Sequence, residues 1–427
     1  MSVRKRQWTT GKGVAKEAWV VDYADANGKR RLKTFPRKKE ADNFASATKV
    51  EVRQGLHVAD RESITIEEAG ELWLAHTDAL GLERATRDAY RQHLTYHIAP
   101  LIGRSRLSRF NVPDARAFED RLRDEGRSPA MVRRVMRSLG SILADSQEHG
   151  LVARNVAREL RSRRGSAHEK RADKRQRGRL KIGEDIPTPA EIRSILNAAT
   201  GHWKPLLMTA ALTGLRASEI RGLRWSDLDL AKKVLHVRQR ADRYNQIGQP
   251  KSEAGEREIP LPPSLVDALA SWQKEQAKGK KTEGKMGLVF PTGAGNIESL
   301  GNIINRGLHP AQLAAGVTVP SLDKRGKPQL GDDGQPMVSA KYTGMHALRH
   351  FFASWCINRR ADGGLELPAK VAQERLGHAS IVMTLDTYGH LFPRGDDLSE
   401  LAIADKALFA GRDTNATREK KAKQKQR

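Results

Sequence analysis

Apolar positions fall into three stretches of different rhythm along this chain. Over residues 19–23 and 31–35 apolar and polar residues alternate as in short strands, and Asn27-Gly28 between them is a hairpin-turn pair. Residues 38–54 then switch to helical spacing, with Ala41, Phe44, Ala45 and Thr48 on one side and Gly55 as a stop. This predicts a separate, very basic ββα-type module over residues 1–58.

From Thr65 the rhythm is helical throughout. Thr65 and Glu68 have the spacing of a capping box, and Ile66, Ala69, Leu72 and Trp73 follow on one face. Tyr90, Leu94 and Ile98 mark a second helix, Ala115, Phe118 and Leu122 a third, and Val132, Val135, Met136, Leu139, Ile142 and Leu143 a long fourth. A compact four-helix domain over residues 62–160 is expected. The segment 161–186 then loses its apolar period and reads as a linker.

Thr188-Pro189-Ala190-Glu191 is a strong helix start and opens a third domain, residues 187–411. Helices are predicted over 205–213 and 217–224, strands over 234–237 and 258–261, and helices again after Ser264. Closely spaced Pro and Gly from 317 to 342 predict a long exposed loop or hairpin. Residues 398–409 read as an amphipathic helix, and 412–427 as a disordered basic tail. The class is multidomain and mainly α: a small N-terminal β-sheet-plus-helix module, a four-helix domain, and a mixed α+β domain.

Charge narrows the partner. The 427 residues carry a formal net charge of +25, a steady self-repulsion unless a polyanion is the usual partner. Nucleic acid fits better than a membrane surface, because the charge runs through the whole chain and no amphipathic basic helix stands out. The linker is densest, with Arg161, Arg163, Arg164, Lys174, Arg175 and Arg177. It is either a spacer or a strap along phosphates, and its charge favours the strap. Aromatics at 5% argue for duplex backbone over stacked single strands. A single cysteine, Cys356, excludes an intrachain disulfide framework, and no apolar run nears the roughly 18 residues of a membrane span. A soluble, cytoplasmic, nucleoid-associated bacterial protein is expected.

The candidate chemistry lies in the C-terminal third. Transesterification at a phosphodiester needs a nucleophile, cationic donors for the non-bridging oxygens and an acid for the departing 5′ oxygen. The chain offers Thr213-Gly214-Leu215-Arg216-Ala217-Ser218-Glu219, then Lys251, His346-Ala347-Leu348-Arg349-His350, Leu376-Gly377-His378 and Thr387-Tyr388-Gly389-His390. Arg216 opens a helix where a phosphate could sit, and His346 and Arg349, at i and i+3, share a helix face. A zinc pair of His346 and His350 would want a third ligand and a Glu between them, so the metal is set aside and His350 is given a structural role.

In that order and with those neighbours, the motifs resemble the tyrosine recombinase (phage integrase) family. The resemblance covers about residues 187–400 of the third domain and, more loosely, the two domains before it. It implies that Tyr388 is the nucleophile, Arg216 and Arg349 grip the phosphate, His346 and His378 contact it, and Glu219 supports the Arg and His. Lys251 would be the hairpin lysine that protonates the leaving oxygen, with a plain phosphate contact as the alternative. No cofactor or metal is implied.

In lambda-type members the N-terminal module binds arm sites and a SAM-like helical domain binds the core site, whereas a generic basic extension is the other reading of residues 1–58. The resemblance further implies double-stranded DNA attachment sites, a homotetramer at synapsis with residues 398–409 docking on a neighbour, and a DNA-bending host factor and an excisionase as partners. Two rivals share the chemistry or the charge: a type IB topoisomerase, and a non-catalytic regulator on the same fold.

Overall fold

A computed structural model describes residues 1–9, 11, 15–25, 28–53, 62–160, 179–278, 286–323, 326–331, 334–393 and 397–409. The chain divides into two compact units, residues 1–169 and 170–427.

The first unit begins with an antiparallel sheet of three strands, Ser2–Thr9 (β1), Ala15–Ala24 (β2) and Arg30–Phe35 (β3), in that order, covered by the helix Lys38–Arg53 (α1). Val21, Tyr23 and Ala41 form its small buried core, with Trp19, Phe35 and Phe44 packed against them. The pattern of apolar residues does not reveal β1, because all of its side chains but Val3 are exposed. What defines it is its pairing with β2, for example Val3 opposite Val21. Asn27 lies outside the described residues.

The four-helix part follows the predicted pattern. Thr65 caps Ile66–Ala79 (α2), accepting the Glu68 N–H while the Glu68 carboxylate accepts the Thr65 N–H at 2.7 Å. The second helix runs as Arg84–His93 (α3), a wide π turn Leu94–Ile98, and Ala99–Ile102, with the Ala99 N–H bonded to the Leu94 carbonyl. Apolar residues at 90, 94 and 98 recur every four positions, more slowly than an α-helix turns. The wider turn lets Leu94 and Ile98 both reach the core, which they share with Trp73, Phe118, Leu122, Leu139 and Ile142. Val112–Asp124 (α4) and Pro129–Glu148 (α5) complete the bundle, and the His76 ring bridges α2 to Asp145 of α5 at 3.0 Å. The basic positions Arg161, Arg163, Arg164, Lys174, Arg175 and Arg177 lie outside the described residues, as does the tail from 410.

The second unit takes up the chain before residue 187: Ile186 is fully buried. Thr188 caps Pro189–Ala198 (α6), and Trp203–Thr213 (α7) and Ala217–Gly222 (α8) follow. This last helix stops two residues short of the predicted 224, because Leu223 turns extended and its carbonyl accepts the Val289 N–H. A three-stranded antiparallel sheet pairs Leu228–Asp229 (β4), Val234–Val237 (β5) and Arg257–Pro260, with a two-residue ladder, Arg240–Ala241 and Ile247–Gly248, in the long connection between the last two. Pro263–Lys278 (α9) covers this part, and residues 317–342 are indeed a hairpin, Thr318–Pro320 against Val338–Ala340. Four helices close the unit: His346–Ile357 (α10), Ala369–Leu376 (α11), Ile381–Tyr388 (α12) and Asp397–Phe409 (α13).

Its large core runs through Leu206, Leu207, Leu235, Leu265, Val289 and Leu348. A smaller one holds Phe352, Cys356, Leu376 and Tyr388. Leu401, Ile403, Leu408 and Phe409 on α13 are exposed. Among the described residues no helix is long and apolar enough to cross a membrane.

The turn after α7 shows how tightly these parts fit. Gly214 has φ +63°, and a β-carbon there would lie 2.3 Å from Cδ1 of Phe352. Gly214→Ala would combine left-handed backbone strain with overpacking, and we expect a loss of about 2 to 4 kcal/mol in urea unfolding.

Candidate active site

The site is built on the end of one helix. At the C-terminus of α11 the last carbonyls lack partners within the helix, and the helix dipole makes that end negative. Gly377, with φ +63°, turns the chain away, and a β-carbon on it would lie 2.8 Å from Nη1 of Arg257. Three successive carbonyls are then taken by three different arginines. Arg257 Nε donates to the Arg375 carbonyl at 2.8 Å, Arg349 Nη2 to that of Leu376 at 2.6 Å, and Arg216 Nη2 to that of Gly377 at 2.9 Å.

The same arginines knit the other elements to this point. Arg349, on α10 and buried, also donates Nη1 to the Gly214 carbonyl at 2.6 Å. Arg216, just before α8, donates Nη1 to Glu219 at 2.7 Å, and Glu219 also accepts its backbone N–H at 2.9 Å. Arg257 reaches the other side of the same carboxylate at 2.9 Å. Burial alone would raise the Glu219 pKa, but the Arg257 and Arg216 charges outweigh it and hold the carboxyl below its ordinary value. Three guanidiniums facing one carboxylate leave a surplus of positive charge, and Arg216 keeps a third of its side chain exposed to an incoming anion.

His378 follows Gly377 directly. Its backbone is fixed by Gln373, and its Nδ1 lies 2.9 Å from Oγ1 of the buried Thr384. Tyr388 ends α12 with its side chain buried and its hydroxyl oxygen 2.7 Å from Nδ1 of His350. His346 is exposed at the rim, edge-on to His350 with ring centroids 4.7 Å apart.

The electrostatics follow from burial beside cations. Burial, then the Arg216 charge, brings Arg349 down to about 10, which still leaves it charged at neutral pH. Burial and the neighbouring arginine charges take His378 to about 4, and burial, His346 and Arg349 take His350 to about 4. His346 is also lowered, by desolvation and then by Arg349 and Arg216. Burial pushes the Tyr388 phenol up to about 12, against the pull of Arg349. The resting site therefore holds charged guanidiniums, neutral imidazoles and a protonated tyrosine.

Of the residues singled out in the sequence, Arg216, Glu219, His346, Arg349, His378 and Tyr388 lie in this one cluster. Lys251 does not join it. Its expected place at a hairpin tip is occupied instead by residues 242–246, while Lys251 is exposed on the returning limb beyond Ile247–Gly248. Two residues were missed. Arg257 lies just before the predicted strand 258–261 and carries no motif, although in the Arg-Glu-Ile-Pro strand the alternation points it inward with Ile259. His350 was given a structural role, yet its ring nitrogen contacts the Tyr388 hydroxyl.

Residues 187–394 match the model of the phage integrase family. This region is a phage integrase domain, and the comparisons support a tyrosine recombinase, an enzyme of site-specific recombination. A XerC-like tyrosine recombinase of Caldanaerobacter subterraneus is 26% identical over 87% of this chain and 90% of its own length. The prophage integrase IntR of Escherichia coli is 26% identical over 54% and 52%. Two solved structures share the fold. The Tn1549 transposon integrase, in complex with a circular intermediate DNA, gives a TM-score of 0.55 at 19% identity over 81% of this chain and 100% of that one. A lambda integrase dimer bound to a COC′ core site gives 0.53 at 16% identity over 91% and 97%.

The recombinase's Arg257–Glu219 pair is almost wholly buried, so removing one partner strands the other. Arg257→Met should cost about 3 to 5 kcal/mol near neutral pH. Because the Glu219 pKa is depressed in the fold, its contribution is present above the ordinary carboxylate range and is lost as pH falls through the folded value. The deficit of the variant should therefore shrink in acid, which urea unfolding at a series of pH values measures.

Proposed function

We propose that this recombinase cuts and rejoins double-stranded DNA at attachment sites, integrating or excising a mobile element, with Tyr388 as nucleophile. The observation that carries this reading is the Tyr388 hydroxyl buried in one cluster with Arg216, Arg349, His346 and His378. A guanidinium has five N–H donors, and Arg216 and Arg349 each place two on protein oxygens, which leaves N–H groups for the non-bridging oxygens of a phosphate. Both are held before DNA arrives, so little reorganisation is needed as charge builds on the phosphorane oxygens. His346 and His378 add neutral donors.

Attack by the Tyr388 oxygen forms a 3′-phosphotyrosyl bond and releases a 5′ oxygen, which takes a proton from Lys251 once its loop closes on DNA. The ester's free energy is retained in the protein–DNA bond, so a second 5′-hydroxyl can reverse the step without ATP. Glu219 and Arg257 keep the two phosphate-binding arginines in place.

The remaining parts extend this reading. Residues 1–58 present strand β1 with Arg4, Lys5 and Arg6 exposed, which supports binding of a second, arm-type DNA site. The helical part contacts the core site, and the positive charge of the run from Arg161 to Lys181 favours contact with DNA phosphates. The exposed apolar residues of α13 support docking on a neighbouring protomer in a tetramer. A DNA-bending host factor and an excisionase would set direction.

The test is covalent trapping on a nicked attachment-site duplex in EDTA, read on a denaturing gel. The wild type should form an adduct and Tyr388→Phe none. An adduct in both would move the chemistry to another residue. Arg216→Ala should bind the duplex as the wild type does, yet cleave about a hundredfold more slowly or worse. Cleavage at the wild-type rate would remove Arg216 from the site.

A further inference from the structure

We propose that His350 is the group that accepts the proton of the Tyr388 hydroxyl during attack on DNA and returns it when the phosphotyrosyl bond is broken. The proposal rests on Tyr388 being the nucleophile and goes further by naming where the phenolic proton goes.

Contact decides between the three histidines of the site. Among the described residues the Tyr388 hydroxyl has one hydrogen-bond partner, His350 Nδ1 at 2.7 Å. That is already the distance general-base catalysis requires. The Nδ1 of His378 is engaged by Thr384, and its ring lies parallel to that of Tyr388 with centroids 6.4 Å apart. His346 is at the exposed rim and meets the edge of His350 rather than the tyrosine. Arg349 spends donors on the Gly214 and Leu376 carbonyls and has no acceptor to offer. For the phenol to donate, His350 must carry its proton on Nε2 and present the Nδ1 lone pair to Oη.

The proton moves from Oη to Nδ1 while the Oη–P bond forms and the P–O5′ bond breaks, and the departing O5′ takes a separate proton, from Lys251 in the reading above. In the reverse step a 5′-hydroxyl attacks, giving its proton to the neutral Lys251 amine as the O5′–P bond forms, the P–Oη bond breaks, and the imidazolium of His350 reprotonates the phenolate.

The surroundings make this transfer conditional on DNA. The charged or titratable groups facing His350 are His346 and Arg349 from its own helix, Tyr388 from α12, and Asp185 from the entry segment of the unit. In the free chain burial and the cationic side dominate, so His350 stays neutral, and Tyr388 keeps its proton by a wide margin. A phosphodiester seated on Arg216 and Arg349 brings a negative charge that offsets this cationic field and raises the proton affinity of His350. Bond formation to phosphorus makes the phenol acidic at the same moment. The nucleophile is therefore inert off DNA and activated by the substrate's own charge.

The experiment uses the full-length chain and a nicked duplex cut from the DNA segment that the wild type protects from nuclease. Adduct formation is followed over time and across pH. His350→Asn and His350→Gln keep an amide that can accept a hydrogen bond but cannot hold the proton. Both should retain the footprint and lose about a hundredfold or more in cleavage rate. A fluorinated tyrosine at position 388, with a more acidic phenol, should recover a larger share of the rate in His350→Asn than it adds to the wild type, because a weaker base suffices. A purely structural role for His350 predicts no such selective recovery. Wild-type cleavage rates in either variant, or equal effects of fluorination in both backgrounds, would overturn the proposal while leaving Tyr388 as nucleophile. Failure of the wild type itself to form an adduct would instead overturn the nucleophile assignment.

Discussion

The catalytic unit depends on the capping of one helix end by three arginines. The carbonyls of Arg375, Leu376 and Gly377 form the negative terminus of α11, and Arg257, Arg349 and Arg216 reach them from the sheet, from α10 and from the turn before α8. Each is a charge-assisted hydrogen bond, that of Arg349 buried and those of Arg257 and Arg216 partly so, where losing a partner costs more than at the open surface. The cap ties elements distant in sequence to one point. It also fixes the position of two guanidiniums that have donors to spare.

A cluster of buried like charges is unfavourable unless something offsets it, and here three things do. Glu219 bridges two of the arginines, the helix dipole adds its negative end, and the neighbouring histidines remain neutral. What remains is a cationic surplus that a phosphate can satisfy. On the proposed function, a bound phosphodiester would complete the electrostatics of the fold, and its affinity at this point would follow from how the domain is held together. The same burial keeps the Tyr388 phenol protonated in the free chain.

Much of this was legible in the sequence because the local signals were unambiguous. Thr65 with Glu68, and Thr188 with Glu191, carry their capping geometry in their spacing, and both helices begin where those pairs place them. Gly214 and Gly377 each precede a motif residue, and the left-handed turn each makes is what points Arg216 and His378 into the site. The parts that were not legible depend on long-range contact. Strand β1 has no buried face of its own and exists through pairing with β2. Arg257 is one of 76 Lys and Arg residues, and only the tertiary position of Glu219 and the α11 carbonyls separates it from the rest. His350 sits one residue past a motif arginine, and its meaning comes from a tyrosine 38 positions away. Lys251 lies in the connection that the strand-turn-strand pattern locates, but that pattern does not say which residues form the tip, here 242–246.

The account's central claim is that the cradle of Arg216 and Arg349 presents a DNA phosphate to one particular hydroxyl. The most direct test is to digest the trapped protein–DNA adduct with trypsin and identify by mass spectrometry both the linked residue and the linked DNA end. The account predicts a 3′-phosphate esterified to Tyr388. A linkage to any other side chain, or to a 5′-phosphate, would contradict it.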